Sequence, residues 1–77
     1  MHVSTRKNTA YSIWSFIYSR SFSFSSRKNN PEFQKYTAIP EWSDFEIFKH
    51  WLESRDYEGK EMVVDGFHFS PETVRFV

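Results

Sequence analysis

Apolar positions recur with a helical period in two stretches of the chain and with a strand-like pattern in a third. From Thr9 to about Ser19 the run TAYSIWSFIYS spaces Tyr11, Trp14 and Tyr18 at i, i+3 and i+7, with Ile13, Phe16 and Ile17 beside them, which predicts a helix over 9–19. A buried strand is the competing reading, because β-branched and aromatic residues are abundant there and Ser recurs at positions 12, 15, 19, 21, 23, 25 and 26. In the second stretch Phe45, Phe48 and Leu52 share one stripe, with Ile47 and Trp51 adjoining, so 43–55 reads as an amphipathic helix facing a core. Ser43 and Glu46 have the spacing of a capping box and predict its start.

After Asp56 the period changes. Two short β-like pieces, 61–64 and 67–69, flank Asp65-Gly66, a strong signal for a two-residue hairpin turn. Ser70-Pro71-Glu72-Thr73 predicts a further turn, and 74–77 a third short strand. Between the helices, SFSFSSRKNNP over 21–31 ends in Asn-Asn-Pro, which stops any preceding element and predicts the longest loop. Residues 1–8 are polar and basic without period and read as a flexible basic arm. The expectation is one small α+β domain over 9–77, with two helices packed on a short antiparallel hairpin or sheet at the C-terminal end.

A chain of 77 residues buries only roughly 60% of the surface its unfolded form exposes, so its core must be efficient. Nine Phe, three Trp and four Tyr supply large buried areas per side chain. No Cys is present, which excludes disulfides and thiolate metal sites. No apolar run approaches the roughly 20 residues of a membrane span, and no apolar signal core follows the basic residues at 6 and 7. These features predict a cytoplasmic protein with no membrane partner.

A formal net charge of zero conceals a polar distribution. Residues 1–36 carry six cations against one acid, and 37–77 carry four cations against nine acids. A basic half with interleaved rings can meet phosphate, whereas an acidic half suits a basic protein surface. Complementary halves also predict homodimerisation, head to tail or about a two-fold axis.

The spacing of large residues resembles a family of small bacteriophage proteins related to HNH homing endonucleases. The residues that carry the likeness are Trp14, Arg20-Ser21, Pro31, Phe33, Tyr36, the run Trp42, Phe45, Phe48 and Trp51, then Gly59-Lys60, Asp65, and the closing FSPETVRFV from Phe69 to Val77. The family typically closes Tyr-Ser-Pro-Glu-Thr-Cys-x-Phe-Val and continues further. It has Arg-Cys-Tyr where this chain has Arg20-Ser21-Phe22, and a Leu-Asp-Lys-Asp segment with a longer Asn-containing loop in place of Val63-Val64-Asp65-Gly66. The resemblance therefore implies the scaffold without the catalytic set, which needs an activating His, further ligands and a divalent ion.

Candidate chemistry is sparse. Asp65 and His68 are the weak catalytic or metal candidates, against a plainer reading as a turn former and an exposed strand residue. Glu46 and His50, one helical turn apart, read as a surface pair rather than metal ligands, and His2 in the arm gives no specific signal. Arg6, Lys7, Arg20, Arg27 and Lys28, with Phe22, Phe24 and Tyr36 nearby, form the nucleic-acid candidate; exposure of the rings is the deciding feature. Trp42, Glu46, Trp51, Glu53, Asp56 and Glu58 form the protein-interface candidate, with Glu41, Asp44 and Glu61 adding to the acidic run. With Gly59 and Gly66 the only glycines, no phosphate-binding loop can be built, and no Ser stands with a His and an acid as a nucleophile. The resulting expectation is a phage-encoded accessory protein of the bacterial host cytoplasm, which binds and inhibits a host or defence macromolecule and uses no cofactor. The alternatives are an HNH-type DNA nuclease dependent on a divalent metal, and plain nucleic-acid binding through the basic half.

Overall fold

Two isoleucines one helical turn apart, Ile13 and Ile17, are the residues around which the first helix is oriented: both are fully buried, while Tyr11 on the same helix is 62% exposed. A computed structural model describes residues 2, 3 and 9–77 of the chain. The helix, α1, spans Ala10–Ser21 and is capped by Thr9, whose side chain accepts the Ser12 amide at 3.1 Å. The competing strand reading is thereby set aside, and the aromatic stripe is the half-exposed flank of the helix rather than its buried face.

The long loop expected over 21–31 contains a further helix, α2, at Phe24–Asn29. Its six residues are too few to display a period, so its signals are only terminal. Ser23 caps its start, and Arg27 and Lys28 occupy its last turn, where cations favour the helix dipole. Asn30 then leaves the helical region before Pro31, at φ −130° and ψ 85°, since a residue preceding proline is disfavoured there, and a 3-10 turn follows at Pro31–Lys35.

The third helix, α3, spans Phe45–Glu53 and buries Phe48 and Leu52. The capping box is not formed. Pro40 starts a 3-10 turn, Pro40–Ser43, in which the Ser43 hydroxyl donates back to the Pro40 carbonyl at 2.8 Å. Asp44 is the cap instead, accepting the Glu46 amide at 2.9 Å. A proline at the first position of one turn has moved the helix start two residues along the chain.

Among the described residues five short strands complete the fold: β1 (His2–Val3), β2 (Thr37–Ala38), β3 (Met62–Val64), β4 (His68–Phe69) and β5 (Val74–Phe76). They form two sheets, β1-β3-β5 antiparallel and β2-β4 parallel. His2–Val3, expected within the arm, pairs with β3, while Arg6 and Lys7 lie outside the described residues. The hairpin expected across Asp65-Gly66 is replaced by a wider one in which Met62, Val63 and Val64 face Phe76, Arg75 and Val74. A two-residue type I′ turn needs positive φ at both central residues, and here Gly66 alone has it, at +73°. The chain therefore leaves β3, lays β4 beside β2, and returns through the turn at 70–73 with Thr73 bonding the Asp65 amide at 2.9 Å.

The core lies between α1, α3 and the sheets, and comprises Ile13, Ile17, Tyr36, Trp42, Phe48, Leu52, Met62, Val64, Phe69 and Val74. The route through β4 is what brings Phe69 into it, fully buried and stacked on Tyr36 at 5.7 Å between ring centres. The architecture is a small α+β fold, three helices packed against two small sheets of short strands, most of them near the C-terminus.

Candidate functional site

Three short elements, α1, α2 and the 3-10 turn at Pro31–Lys35, end close together, and each end leaves carbonyl oxygens without helical partners. Arg27 occupies this junction. Its Nη1 donates to the carbonyls of Arg20, Phe33 (3.2 Å) and Tyr36 (2.8 Å), and its Nη2 to that of Gln34 at 3.4 Å. Gln34 returns a bond from its amide to the Arg27 carbonyl at 3.4 Å. A guanidinium suits this position because it carries several donors in a fixed plane and no acceptor.

Arg20 is also turned into the structure. Its guanidinium lies over the Phe16 ring at 3.5 Å and the Phe33 ring at 4.4 Å, and donates to the Phe16 carbonyl at 3.2 Å. Burial pushes it down from its ordinary value, with Tyr36 and Glu32 pulling it partly back. Of the five basic residues expected to bind nucleic acid, two thus serve the packing, Arg6 and Lys7 lie outside the described residues, and only Lys28 stands exposed.

The rings of that candidate divide in the same manner. Tyr36 is buried and Phe22 half-buried, its ring tilted at 39° against that of Tyr18 with centres 5.6 Å apart, whereas Phe24 is 80% exposed. Phe24 and Lys28 lie one turn apart on α2, and with Phe22, Arg27 and Gln34 they line an open groove. Gln34 was not singled out by sequence; its neighbour Pro31 announces a turn, but nothing local shows which groove that turn borders.

α3, which also packs against α1, presents Glu46, Ile47, His50 and Glu53 to solvent, with Ile47 49% exposed. Glu41, Asp44, Asp56 and Glu58 are exposed as well. Asp56 pairs with Lys60 at 2.9 Å, both partly or wholly accessible, an arrangement that contributes little in water. Trp42 and Trp51, expected as interface anchors, belong mainly to the interior. Trp42 is 1% exposed, packs against Phe48 at 5.0 Å and Trp51 at 4.8 Å, and accepts the Trp14 indole N–H on its carbonyl at 2.8 Å. Trp51 is half-buried beneath Arg55 at 5.2 Å, with its indole nitrogen enclosed and unpartnered. Trp42 lies in the 3-10 turn that precedes α3, and its ring packs on Phe48 and Trp51 of that helix.

Asp65 and His68 take separate partners. Asp65 lies 3.4 Å from Arg75 across the hairpin, and His68 Nδ1 lies 2.8 Å from the Thr37 hydroxyl across the parallel pair. With the two-residue turn absent, no tight loop draws them together. Among the described residues no group of three or more His, Cys, Asp or Glu could hold a metal ion, and no helix is long and apolar enough to cross a membrane. No family model, curated protein or solved structure matches this chain.

Proposed function

We propose that this protein acts by binding a basic surface of a host or defence protein, as a phage-encoded accessory protein on an HNH-like scaffold that lacks the catalytic set. The observation that carries the reading is the orientation of charge. Arg20 and Arg27 are spent on internal carbonyls and rings, while Glu41, Asp44, Glu46, Glu53, Asp56 and Glu58 all face solvent. Among the described residues the surface is therefore more acidic than the balanced composition implies, and the carboxylates of Glu46 and Glu53 with exposed Ile47 give a helix face of the kind that meets a cationic groove. Masking such a groove would inhibit a protein of nucleic-acid metabolism or immunity.

The test is retention from bacterial lysate on a tagged copy, with and without nuclease treatment. A stoichiometric protein that survives nuclease, is lost with Glu46→Lys plus Glu53→Lys and is kept with Lys28→Ala is the expected result. Retention of nucleic acid alone, abolished by Lys28→Ala, would overturn it in favour of binding through α2. Plasmid nicking with magnesium or manganese that disappears in His68→Ala would overturn it in favour of the nuclease.

A further inference from the structure

We infer that the groove on α2 and the outer face of α3 are mates, so that the protein associates with further copies of itself head to tail. The groove places the exposed Phe24 ring and half-buried Phe22 beside Lys28 and Arg27. The face of α3 places Ile47 beside a row of Glu46, His50 and Glu53 at i, i+4 and i+7. One surface is thus rings beside a single exposed cation, Lys28, since Arg27 is held on carbonyls, and the other an aliphatic side chain beside the carboxylates of Glu46 and Glu53, so each supplies what the other leaves in water. An aromatic residue at 80% exposure next to a cation is the more demanding feature, since a ring loses most by remaining solvated.

Within one molecule the two surfaces belong to helices that each pack on α1, with no substantial packing of α2 on α3. Docking is therefore between copies, and a different patch is used on each partner. Such a heterologous interface leaves one free groove and one free ridge at the ends of every assembly, so growth does not stop at two unless a ring closes. A ridge of four residues and a groove of five cover less than the roughly 800 Å² per partner of a standard interface, so the association is weak and salt-sensitive. The inference does not rest on a host partner, but it uses the same outer face of α3, so a protein bound there would compete with self-association.

Sedimentation equilibrium from micromolar to millimolar protein tests it. The expected result is a weight-average mass that rises continuously with concentration and falls with added salt. Lys28→Glu, which spoils only the groove, and Ile47→Asp, which spoils only the ridge and leaves both altered surfaces acidic, should each shift assembly to concentrations more than about tenfold higher. Circular dichroism checks that both remain folded. Mixed together, they retain one intact groove and one intact ridge, and should form a one-to-one dimer that grows no further. A wild-type protein that stays monomeric to millimolar concentration, variants that assemble as wild type does, or a mixture that stays monomeric or grows past a dimer would each overturn the pairing.

Discussion

Replacing Arg27 by alanine removes the donor that gathers the ends of α1, α2 and the following 3-10 turn, and the size of the effect can be worked from its bonds. Nη1 carries two protons for the carbonyls of Arg20, Phe33 and Tyr36, so it counts as two hydrogen bonds at most. Bonds from a charged donor contribute about 1.5–3 kcal/mol each, and partial exposure of this junction places the sum near 3 kcal/mol. A domain of 77 residues has only about 4–12 kcal/mol in total. The expected fall in melting temperature is on the order of 15 °C, at roughly 4–8 °C per kcal/mol for a domain of this size. Thermal and urea unfolding followed by tryptophan fluorescence read it. Arg27→Lys restores the charge without the planar fork and should recover less than half of the loss. Lys28→Ala, one residue on and exposed, should change stability by no more than about 0.5 kcal/mol. If Arg27→Ala melted within about 3 °C of the parent, the junction would not depend on these bonds and the reasoning would fail.

Three further outcomes follow from particular contacts. Asp44→Ala should destabilise by about 1 kcal/mol through loss of the α3 cap, whereas Ser43→Ala should lie within about 0.5 kcal/mol of the parent; equal losses in urea unfolding would restore the capping box. Trp14→Phe removes the indole bond to the Trp42 carbonyl and should destabilise by about 1 kcal/mol or more, while Trp51→Phe removes an enclosed N–H without a partner and should be close to neutral; calorimetry that ranks them the other way refutes both assignments. Gly66→Ala meets no atom within 4 Å, so its loss of about 1–2 kcal/mol arises from the +73° φ alone, and an unchanged unfolding midpoint would show that this turn does not hold that conformation in solution.

What the sequence showed of the fold was what lies within one element. Ile13, Ile17, Phe48 and Leu52 have a helical period, and the helices that bury them lie where that period places them, to within two residues at each end. Their caps were less legible, because Ser43 and Asp44 are equally good cap residues and only the 3-10 turn begun by Pro40 decides between them. Strand pairing was illegible for a different reason. Asp65-Gly66 is a strong local turn signal, yet the burial of Phe69 beside Tyr36 and the pairing of β4 with β2 are contacts over some thirty residues, and these outweighed a preference of order 1 kcal/mol. The candidate site was legible as a list of charges and rings but not as a surface. Nothing in the local sequence distinguishes Arg27, which binds four carbonyls, from Lys28, which faces water.

That distinction decides how the roles of the basic half are to be separated. A loss of nucleic-acid binding on removing Arg27 and Lys28 together is uninformative, because removing Arg27 loosens the junction that positions α2 and with it the groove. Lys28→Ala and Phe24→Ser alter only exposed side chains, so both should melt as the parent does. Measured against a single-stranded oligonucleotide by fluorescence anisotropy, they carry the whole contribution of this surface: a cation for phosphate and a ring for stacking. With Arg20 and Arg27 committed to the interior, one lysine remains at the groove, and affinity at physiological salt should be weak and change little in either variant. A tight, steeply salt-dependent affinity abolished by both substitutions without change in melting would mean that the groove is a nucleic-acid site, and that the acidic face of α3 is not the surface through which the protein acts.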